Sequence, residues 1–257
     1  MSLIDSHCHL YYEPYKLNLK KNIDECNKNN VNLLLSIGVD YQTSLENIKI
    51  AENFNEVYCT IGLHPNYVKE KSSEVDKIFD LIDTSNKIIG IGECGIDLFR
   101  SQDNLKEQIK YFELQIEFAI KKKLPVIIHS RDSHDEIIKV LNNYKNFNFK
   151  FIMHCFSGSL DYATQYINLG GYISFSGILT FKNASELQNV CKNISNDKIL
   201  VETDSPYLTP HPFRGKINHP KNTYLVAKKV AEIKGLTVEE ISKTTSNNFY
   251  KLFGFKK

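Results

Sequence analysis

The regular alternation of short apolar runs with helical patterns is the feature that most constrains the fold of this chain. Eight runs are predicted to be strands, at residues 3–9, 31–38, 57–63, 88–96, 125–129, 150–156, 171–176 and 199–204. Many of these runs are continuously apolar, which is typical of parallel strands that are covered on both faces. Helical patterns lie between and after them, at residues 15–29, 42–54, 73–85, 103–122, 132–143, 159–169, 184–194 and 221–234.

The number of strand–helix units and the chain length together favour one α/β domain. Eight units in 257 residues match the usual size of a (β/α)8 TIM barrel, so we predict a single TIM-barrel domain over residues 1–257. An additional C-terminal helix is expected at 237–251, because Thr237 and Glu240 form a capping-box pattern. A doubly wound open sheet is the alternative, and it is disfavoured because no Gly-x-Gly-x-x-Gly motif follows the first predicted strand.

The composition is that of an ordinary globular protein. The apolar fraction is 42%, the charged fraction is 24% and the net charge is +2, so any surface for nucleic acid must be a local patch. The sequence has no signal peptide and no apolar run of membrane-spanning length, which predicts a cytoplasmic protein that does not engage a membrane. The six cysteines form no Cys-x-x-Cys pair, so they are interpreted as buried thiols. A monomer is the default expectation.

Metal-type side chains follow the ends of several predicted strands. His7 and His9 end the first strand and, being two positions apart, point to the same face of it. Active sites of TIM barrels lie at the carboxyl ends of the strands, so residues spread along the chain would converge there. The sequence therefore predicts a metal site whose six ligands are His7, His9, Glu93, His129, His154 and Asp204.

Six donors are more than the approximately three protein ligands that one catalytic zinc takes. They suit two divalent ions bridged by a carboxylate, for which Glu93 is the natural bridge. Mixed imidazole and carboxylate ligands fit Zn²⁺ or Mn²⁺, and fit Mg²⁺ less well. Asp204 is the natural acceptor of a proton from the attacking water. The structural alternatives are that the histidines only make hydrogen bonds within the fold at the strand ends, and that Asp204 only caps the turn before Pro206.

Five short motifs around these positions resemble those of the TatD family of metal-dependent deoxyribonucleases, within the amidohydrolase superfamily. They lie at residues 5–9 (DSHCH), 92–97 (GECGID), 129–132 (HSRD), 154–158 (HCFSG) and 202–208 (ETDSPYL). Residues 214–220 and the spacing of Gln108, Phe112 and Gln115 also match. The resemblance implies a TIM barrel with a dinuclear metal site at the six positions named above. It also implies hydrolysis of phosphodiester bonds in DNA, often as a 3′→5′ exonuclease on single strands, and hence DNA repair or degradation.

The arginines support a phosphate-containing substrate. The chain has only three, Arg100, Arg131 and Arg214, and each follows a predicted strand end on the same side of the barrel. A guanidinium binds two phosphate oxygens at once, which an ammonium group does not, so these residues are predicted to bind substrate phosphate. His64 is a further candidate for this role. The alternatives are that the arginines form ion pairs with carboxylates of the protein, and that His64 only makes hydrogen bonds within the fold.

The hypothesis for the mechanism is hydrolysis by a metal-activated water, with Glu93, Glu202 and Asp204 as the predicted catalytic carboxylates. Glu202 is assigned a supporting hydrogen-bonding role, with action as a base as the alternative, and Arg214 stabilises the transition-state charge. One alternative is a dinuclear amidohydrolase that acts on a small-molecule ester, lactone or amide. It is disfavoured because Glu93 occupies the place of a carbamylated lysine. The other alternative is a non-catalytic metal- or nucleic-acid-binding scaffold, which the complete ligand set disfavours.

Overall fold

The computed structural model describes residues 2–255 and contains eight strands. They are β1 (Leu3–Cys8), β2 (Val31–Ile37), β3 (Val57–Ile61), β4 (Ile88–Asp97), β5 (Val126–Arg131), β6 (Phe151–Met153), β7 (Gly171–Phe175) and β8 (Ile199–Val201). The strands follow one another in the sheet in chain order, and the pairings described are parallel. This alternating parallel order is that of the (β/α)8 class, so the TIM-barrel prediction is confirmed.

Eleven α-helices connect and follow the strands in the described part of the chain. They are α1 (Glu13–Lys16), α2 (Leu19–Lys28), α3 (Tyr41–Asn53), α4 (Val68–Lys71), α5 (Val75–Asp80), α6 (Leu105–Lys122), α7 (His134–Asn143), α8 (Leu160–Asn168), α9 (Ser185–Asn193), α10 (Thr223–Lys234) and α11 (Val238–Phe253). The predicted helix at 15–29 is divided, because Asn18 leaves the helical conformation with φ −138° and ψ 41°. No helix within residues 2–255 has the length and apolar character that crossing a membrane requires.

The chain divides into two compact units. Unit 1 comprises the described residues of 1–36, 155–164 and 173–257, and unit 2 comprises 37–154 and 165–172. The prediction of one domain over the whole chain stays a prediction. Most strand residues of both units are buried, and the free cysteines are buried except the half-buried Cys155.

In unit 1, the additional helix α11 is held against the strands through polar contacts as well as apolar ones. The Asn248 amide donates to the Ile199 carbonyl at 2.8 Å, and Phe249 is fully buried. The predicted capping box is present, since Thr237 accepts from the Glu240 N–H and the Glu240 carboxylate accepts from the Thr237 N–H. The predicted C-terminal helix is therefore confirmed.

In unit 2, two buried glutamines of α6 fix the segments that follow β3 and end β4. The Gln115 side chain bonds the Leu63 N–H at 2.8 Å and the Leu63 carbonyl at 3.0 Å. The Gln108 side chain accepts from the Asp97 N–H at 2.8 Å. Because each amide satisfies backbone groups beyond the strand ladder, the next residues keep a defined direction. Leu63 precedes His64, so α6 positions both His64 and Asp97.

Candidate metal sites

Unit 2 gathers three of the predicted ligands around one carboxylate oxygen. Glu93 Oε1 lies 2.8 Å from His129 Nδ1 and 2.8 Å from His154 Nε2. The two imidazole nitrogens are 3.4 Å apart, and Glu93 is only 3% exposed. Two imidazoles and a carboxylate that converge in this way form a donor set suited to a divalent ion such as Zn²⁺ or Mn²⁺. The further role of Glu93 as a bridge between two ions stays a prediction.

Glycines in β4 allow this convergence. Gly95 has φ +141°, and a Cβ at this position would lie 2.1 Å from the His129 carbonyl oxygen. Gly92 is similar, because its Cβ would lie 2.5 Å from the Ile127 carbonyl oxygen. Only residues without a side chain let β4 approach the β5 backbone so closely. The glycines on either side of Glu93 therefore set its distance from His129.

Asp97, which the sequence analysis did not assign to the site, contacts the second ring nitrogen of His129, Nε2. Its Oδ2 lies 3.3 Å from His129 Nε2, and its Oδ1 accepts from the Arg100 N–H at 2.9 Å. Burial opposes ionisation of Asp97, but these hydrogen bonds outweigh it and lower its pKa to about 2. An ionised Asp97 keeps the proton of His129 on Nε2 and leaves Nδ1 as the ligating nitrogen. The signal was available, since Glu93 and Asp97 are four positions apart on one strand and share a face.

Two of the three ligands of this cluster, Glu93 and His129, have displaced pKa values. Burial raises the pKa of Glu93, but His154, His64 and His129 lower it by more, so the carboxylate stays ionised. Burial lowers the pKa of His129, and the two carboxylates Asp97 and Glu93 reverse this and raise it above 6.5. Hydrogen bonds to negatively charged carboxylates therefore connect the residues of this cluster.

His64 joins the same cluster with a fixed orientation. Its Nδ1 accepts from the Asn66 N–H at 3.1 Å, so the proton of the neutral ring is on Nε2. That Nε2 lies 3.4 Å from Glu93 Oε1, and burial lowers the pKa of the ring. His64 thus presents an N–H donor at the site, and its predicted contact with a phosphate stays a prediction.

Unit 1 gathers the other three predicted ligands. Asp204 Oδ1 lies 3.4 Å from His9 Nε2 and 3.7 Å from His7 Nε2. Backbone hydrogen bonds align the two segments, since the Asp204 N–H donates to the His7 carbonyl and the His9 N–H donates to the Ser205 carbonyl, both at 2.9 Å. His7, His9 and Asp204 form a group whose geometry could hold a metal ion. The sequence prediction that both histidines face one site agrees with this arrangement.

Two further buried carboxyl groups support this half of the molecule. Glu202 is fully buried, and its Oε1 accepts from the Cys155 N–H at 2.7 Å, so it holds backbone in place. Asp5, which the sequence analysis did not assign, accepts from the Thr203 N–H at 2.9 Å and from the Thr203 hydroxyl at 2.6 Å. Burial raises the pKa of Asp5 to about 8. Asp5 and Thr203 therefore connect β1 to the segment that carries Asp204.

All three arginines are exposed at the surface. The Arg131 guanidinium lies 3.7 Å above the Phe99 ring, and the Arg214 guanidinium lies 4.2 Å above the Phe181 ring. Within the described residues, neither forms an ion pair with a carboxylate, so the alternative of structural pairing is not observed. Stacking on a ring orients a guanidinium while leaving its N–H groups available to an anion. Binding of phosphate by Arg100, Arg131 and Arg214 stays a prediction.

The comparisons with known proteins find relatives that are named as metal-dependent hydrolases. The family model of TatD related DNase matches residues 4–254. The uncharacterised metal-dependent hydrolase YabD of Bacillus subtilis strain 168 is 36% identical over 251 residues, which is 98% of each chain. The uncharacterised metal-dependent hydrolase YcfH of Escherichia coli K12 is 33% identical over 257 residues, 98% of this chain and 96% of the relative.

A solved structure shows the same fold. The crystal structure of YjjV, a TatD homologue from Escherichia coli K12, covers 99% of this chain and 98% of its own. The two share 27% sequence identity with a TM-score of 0.93. A family match over nearly all residues and a fold shared along the whole chain lead to one assignment: the protein belongs to the TatD family of metal-dependent hydrolases.

Proposed function

We propose that this protein is a metal-dependent deoxyribonuclease that hydrolyses phosphodiester bonds, acting as a 3′→5′ exonuclease on single-stranded DNA ends. The observation that carries the proposal is the convergence on Glu93 of His129 and His154, each at 2.8 Å. A buried, ionised carboxylate between two imidazoles is a metal-binding arrangement, and membership of the TatD family supports DNA as the substrate.

The donor sets support two divalent ions, one in each unit. His7, His9 and Asp204 would hold the first, and Glu93, His129 and His154 would hold the second. Zn²⁺ and Mn²⁺ suit these ligands better than Mg²⁺ does. Bound ions of this kind lower the pKa of water to about 7 and neutralise charge on phosphoryl oxygens.

The residues of the chain perform the remaining chemistry. Asp204, whose side chain is 14% exposed, accepts a proton from the water that attacks phosphorus as the bond to the 3′ oxygen breaks. His64 donates its Nε2 proton in a hydrogen bond to a phosphate oxygen. Arg214, oriented by Phe181, binds phosphate through its guanidinium. Glu202 acts through the Cys155 backbone and supports the geometry.

The test is hydrolysis of 5′-labelled single-stranded DNA by metal-stripped protein that is titrated with Mn²⁺, Mg²⁺ or Zn²⁺. We expect stepwise loss of 3′ nucleotides that depends on the metal. Asp204→Ala should lower the rate by about 100-fold to 10,000-fold, as expected for loss of a general base. Asp24→Ala, which removes an exposed aspartate of the same unit, is the matched control and should cleave normally.

Two results would overturn this proposal. A protein that binds about two metal ions and cleaves no DNA would be tested next on small-molecule esters, lactones and amides. A protein that hydrolyses none of these would be a metal-binding scaffold.

A further inference from the structure

Two neighbouring tyrosine rings of unit 1 lie at the surface, and one of them, Tyr207, lies next to the His9 ring. Tyr12 is 39% exposed and Tyr207 is 55% exposed, and each follows a predicted ligand by three positions. The Tyr12 and Tyr207 ring centroids are 6.4 Å apart, and the Tyr207 centroid is 6.2 Å from that of His9. We call Tyr12 and Tyr207 the tyrosine platform.

Exposed apolar side chains are concentrated on the loops that carry this platform. Those of unit 1, within the described residues, are Tyr12, Leu17, Tyr207, Phe213 and Ile217. All but Leu17 belong either to the turn after His9 or to the loop after Asp204. Isolated exposed apolar residues need no explanation, but a group of them beside a candidate active site indicates a binding surface.

The platform is also held in place before any ligand binds. The Asn218 amide donates to the Tyr207 carbonyl at 2.7 Å and to the Thr203 carbonyl at 3.0 Å. The Tyr15 hydroxyl donates in turn to the Asn218 carbonyl, and the Tyr12 N–H donates to the His9 carbonyl at 3.2 Å. Because the backbone is fixed, a ligand that stacks on these rings loses little free energy in ordering them.

Charge on the same loop selects the class of ligand. Arg214 and Lys216 are exposed there, and the Lys216 ammonium lies 5.7 Å from the Phe213 ring centroid. Aromatic faces next to cationic groups fit a flat base attached to a phosphate, which is the chemistry of single-stranded nucleic acid. The two platform rings are inclined by 58°, so they do not form a parallel slot, and a base would stack on an exposed face.

We propose that the tyrosine platform stacks on the unpaired base at the 3′ end of the DNA strand and places the adjoining phosphate beside His9 and Asp204. This inference rests on the proposed function and deepens it, because it explains a preference for single strands. A base inside a duplex is already stacked on both faces and is not available to the rings.

The test measures binding rather than cleavage. Protein in EDTA is titrated into a 5′-fluorescein-labelled oligonucleotide that ends at its 3′ side either in thymine or in an abasic sugar, and the anisotropy gives Kd. Tyr207→Leu should weaken binding of the intact strand about fivefold or more, which corresponds to about 1 kcal/mol per stacked base. Tyr207→Phe keeps the ring and should stay within about twofold of the original protein. Phe147→Leu removes an equally exposed ring outside the platform and is the matched control.

The decisive quantity is the coupling between ring and base. For the original protein, removing the terminal base should raise the Kd by as much as the Tyr207→Leu substitution does. For the Tyr207→Leu variant, removing the base should not raise the Kd any further. If the losses of binding free energy from removing the ring and from removing the base are additive, the proposal is overturned. A second readout needs no variant: a 3′-terminal 2-aminopurine should lose fluorescence when the original protein binds, and unchanged fluorescence in the complex would also overturn it.

The two proposals fail in different ways. If the protein neither binds nor cleaves single-stranded DNA, the proposed function is wrong, and the platform proposal fails with it. If the protein cleaves DNA but ring and base are uncoupled, only the platform proposal is wrong.

Discussion

Replacing Asp97 by asparagine should weaken metal binding by the unit 2 cluster, although Asp97 is not itself one of the predicted ligands. The carboxylate accepts from the Arg100 N–H through Oδ1 and faces His129 Nε2 through Oδ2. Asparagine has one acceptor oxygen, so if that oxygen keeps the Arg100 hydrogen bond, its NH₂ group faces His129. The imidazole proton then moves to Nδ1, which is the nitrogen that faces Glu93 and must be unprotonated to bind an ion.

The size of the effect follows from the pKa of Asp97. Hydrogen bonds lower that pKa from 3.8 to about 2, so the ionised form gains about 2–3 kcal/mol, at about 1.4 kcal/mol per pKa unit. Part of this free energy is lost with the charge. We therefore expect the Asp97→Asn variant to bind Zn²⁺ or Mn²⁺ about 10-fold to 100-fold more weakly, the range seen when groups that orient metal-binding histidines are removed.

The assay is competition of the metal-stripped protein with a chromophoric chelator, supported by metal analysis after dialysis. Asp103→Asn makes the same chemical change at an exposed aspartate that follows the same strand, and it should bind metal normally. Circular dichroism and a urea midpoint show whether each variant is folded. A folded Asp97→Asn variant with unchanged metal affinity would refute the argument that Asp97 fixes the tautomer of His129.

Three other predictions concern protonation, packing and helix capping. Carboxylates raise the pKa of His129 above 6.5, so below that raised pKa an ion must displace a proton from the ring. Metal affinity should therefore be constant at pH values above that raised pKa and fall about tenfold per pH unit below it, and calorimetry in two buffers should detect the released proton. Gly95→Ala places a Cβ 2.1 Å from the His129 carbonyl oxygen and should cost at least about 2 kcal/mol in urea unfolding, whereas Gly235→Ala, with no atom within 4 Å, should cost about half as much. Thr237→Ala removes the cap of α11 and should lower the free energy of unfolding by about 1 kcal/mol, with Val238→Ala as the comparison at an uncapped position.

The order and type of the elements could be predicted because parallel strands of this class are continuously apolar and are separated by amphipathic helices. The predicted ends of the strands were less accurate than the predicted order of the elements, and the reason is the backbone conformation. The predicted strands at 150–156 and 199–204 end earlier, because Cys155 and Asp204 have φ of +44° and +53°, which strands do not adopt. These left-handed residues turn the chain at the metal sites.

The candidate ligands could be predicted from their positions at strand ends, and Glu202 could be predicted as a supporting group, but the contacts of the other supporting groups could not. The position of Asp97 on the face of β4 that carries Glu93 was visible in the sequence, but its contact with His129 was not. Asp5 acts through Thr203, 198 positions away, and no local pattern marks that pair. The stacking of Arg131 on Phe99 likewise depends on the direction of two loops. Sequence position identifies donors near a site, whereas tautomers and orientations follow from contacts that only the folded chain provides.

The hydrogen bonds between Asp5 and Thr203 join residues that are 198 positions apart. During synthesis at about 5–20 residues per second, some 10–40 seconds pass between the emergence of one partner and that of the other from the ribosome. His7 and His9 leave the ribosome with Asp5, and Asp204 leaves it with Thr203. A nascent chain therefore cannot complete the unit 1 metal group until most of it has been translated, and an unfinished polypeptide released early would lack that group.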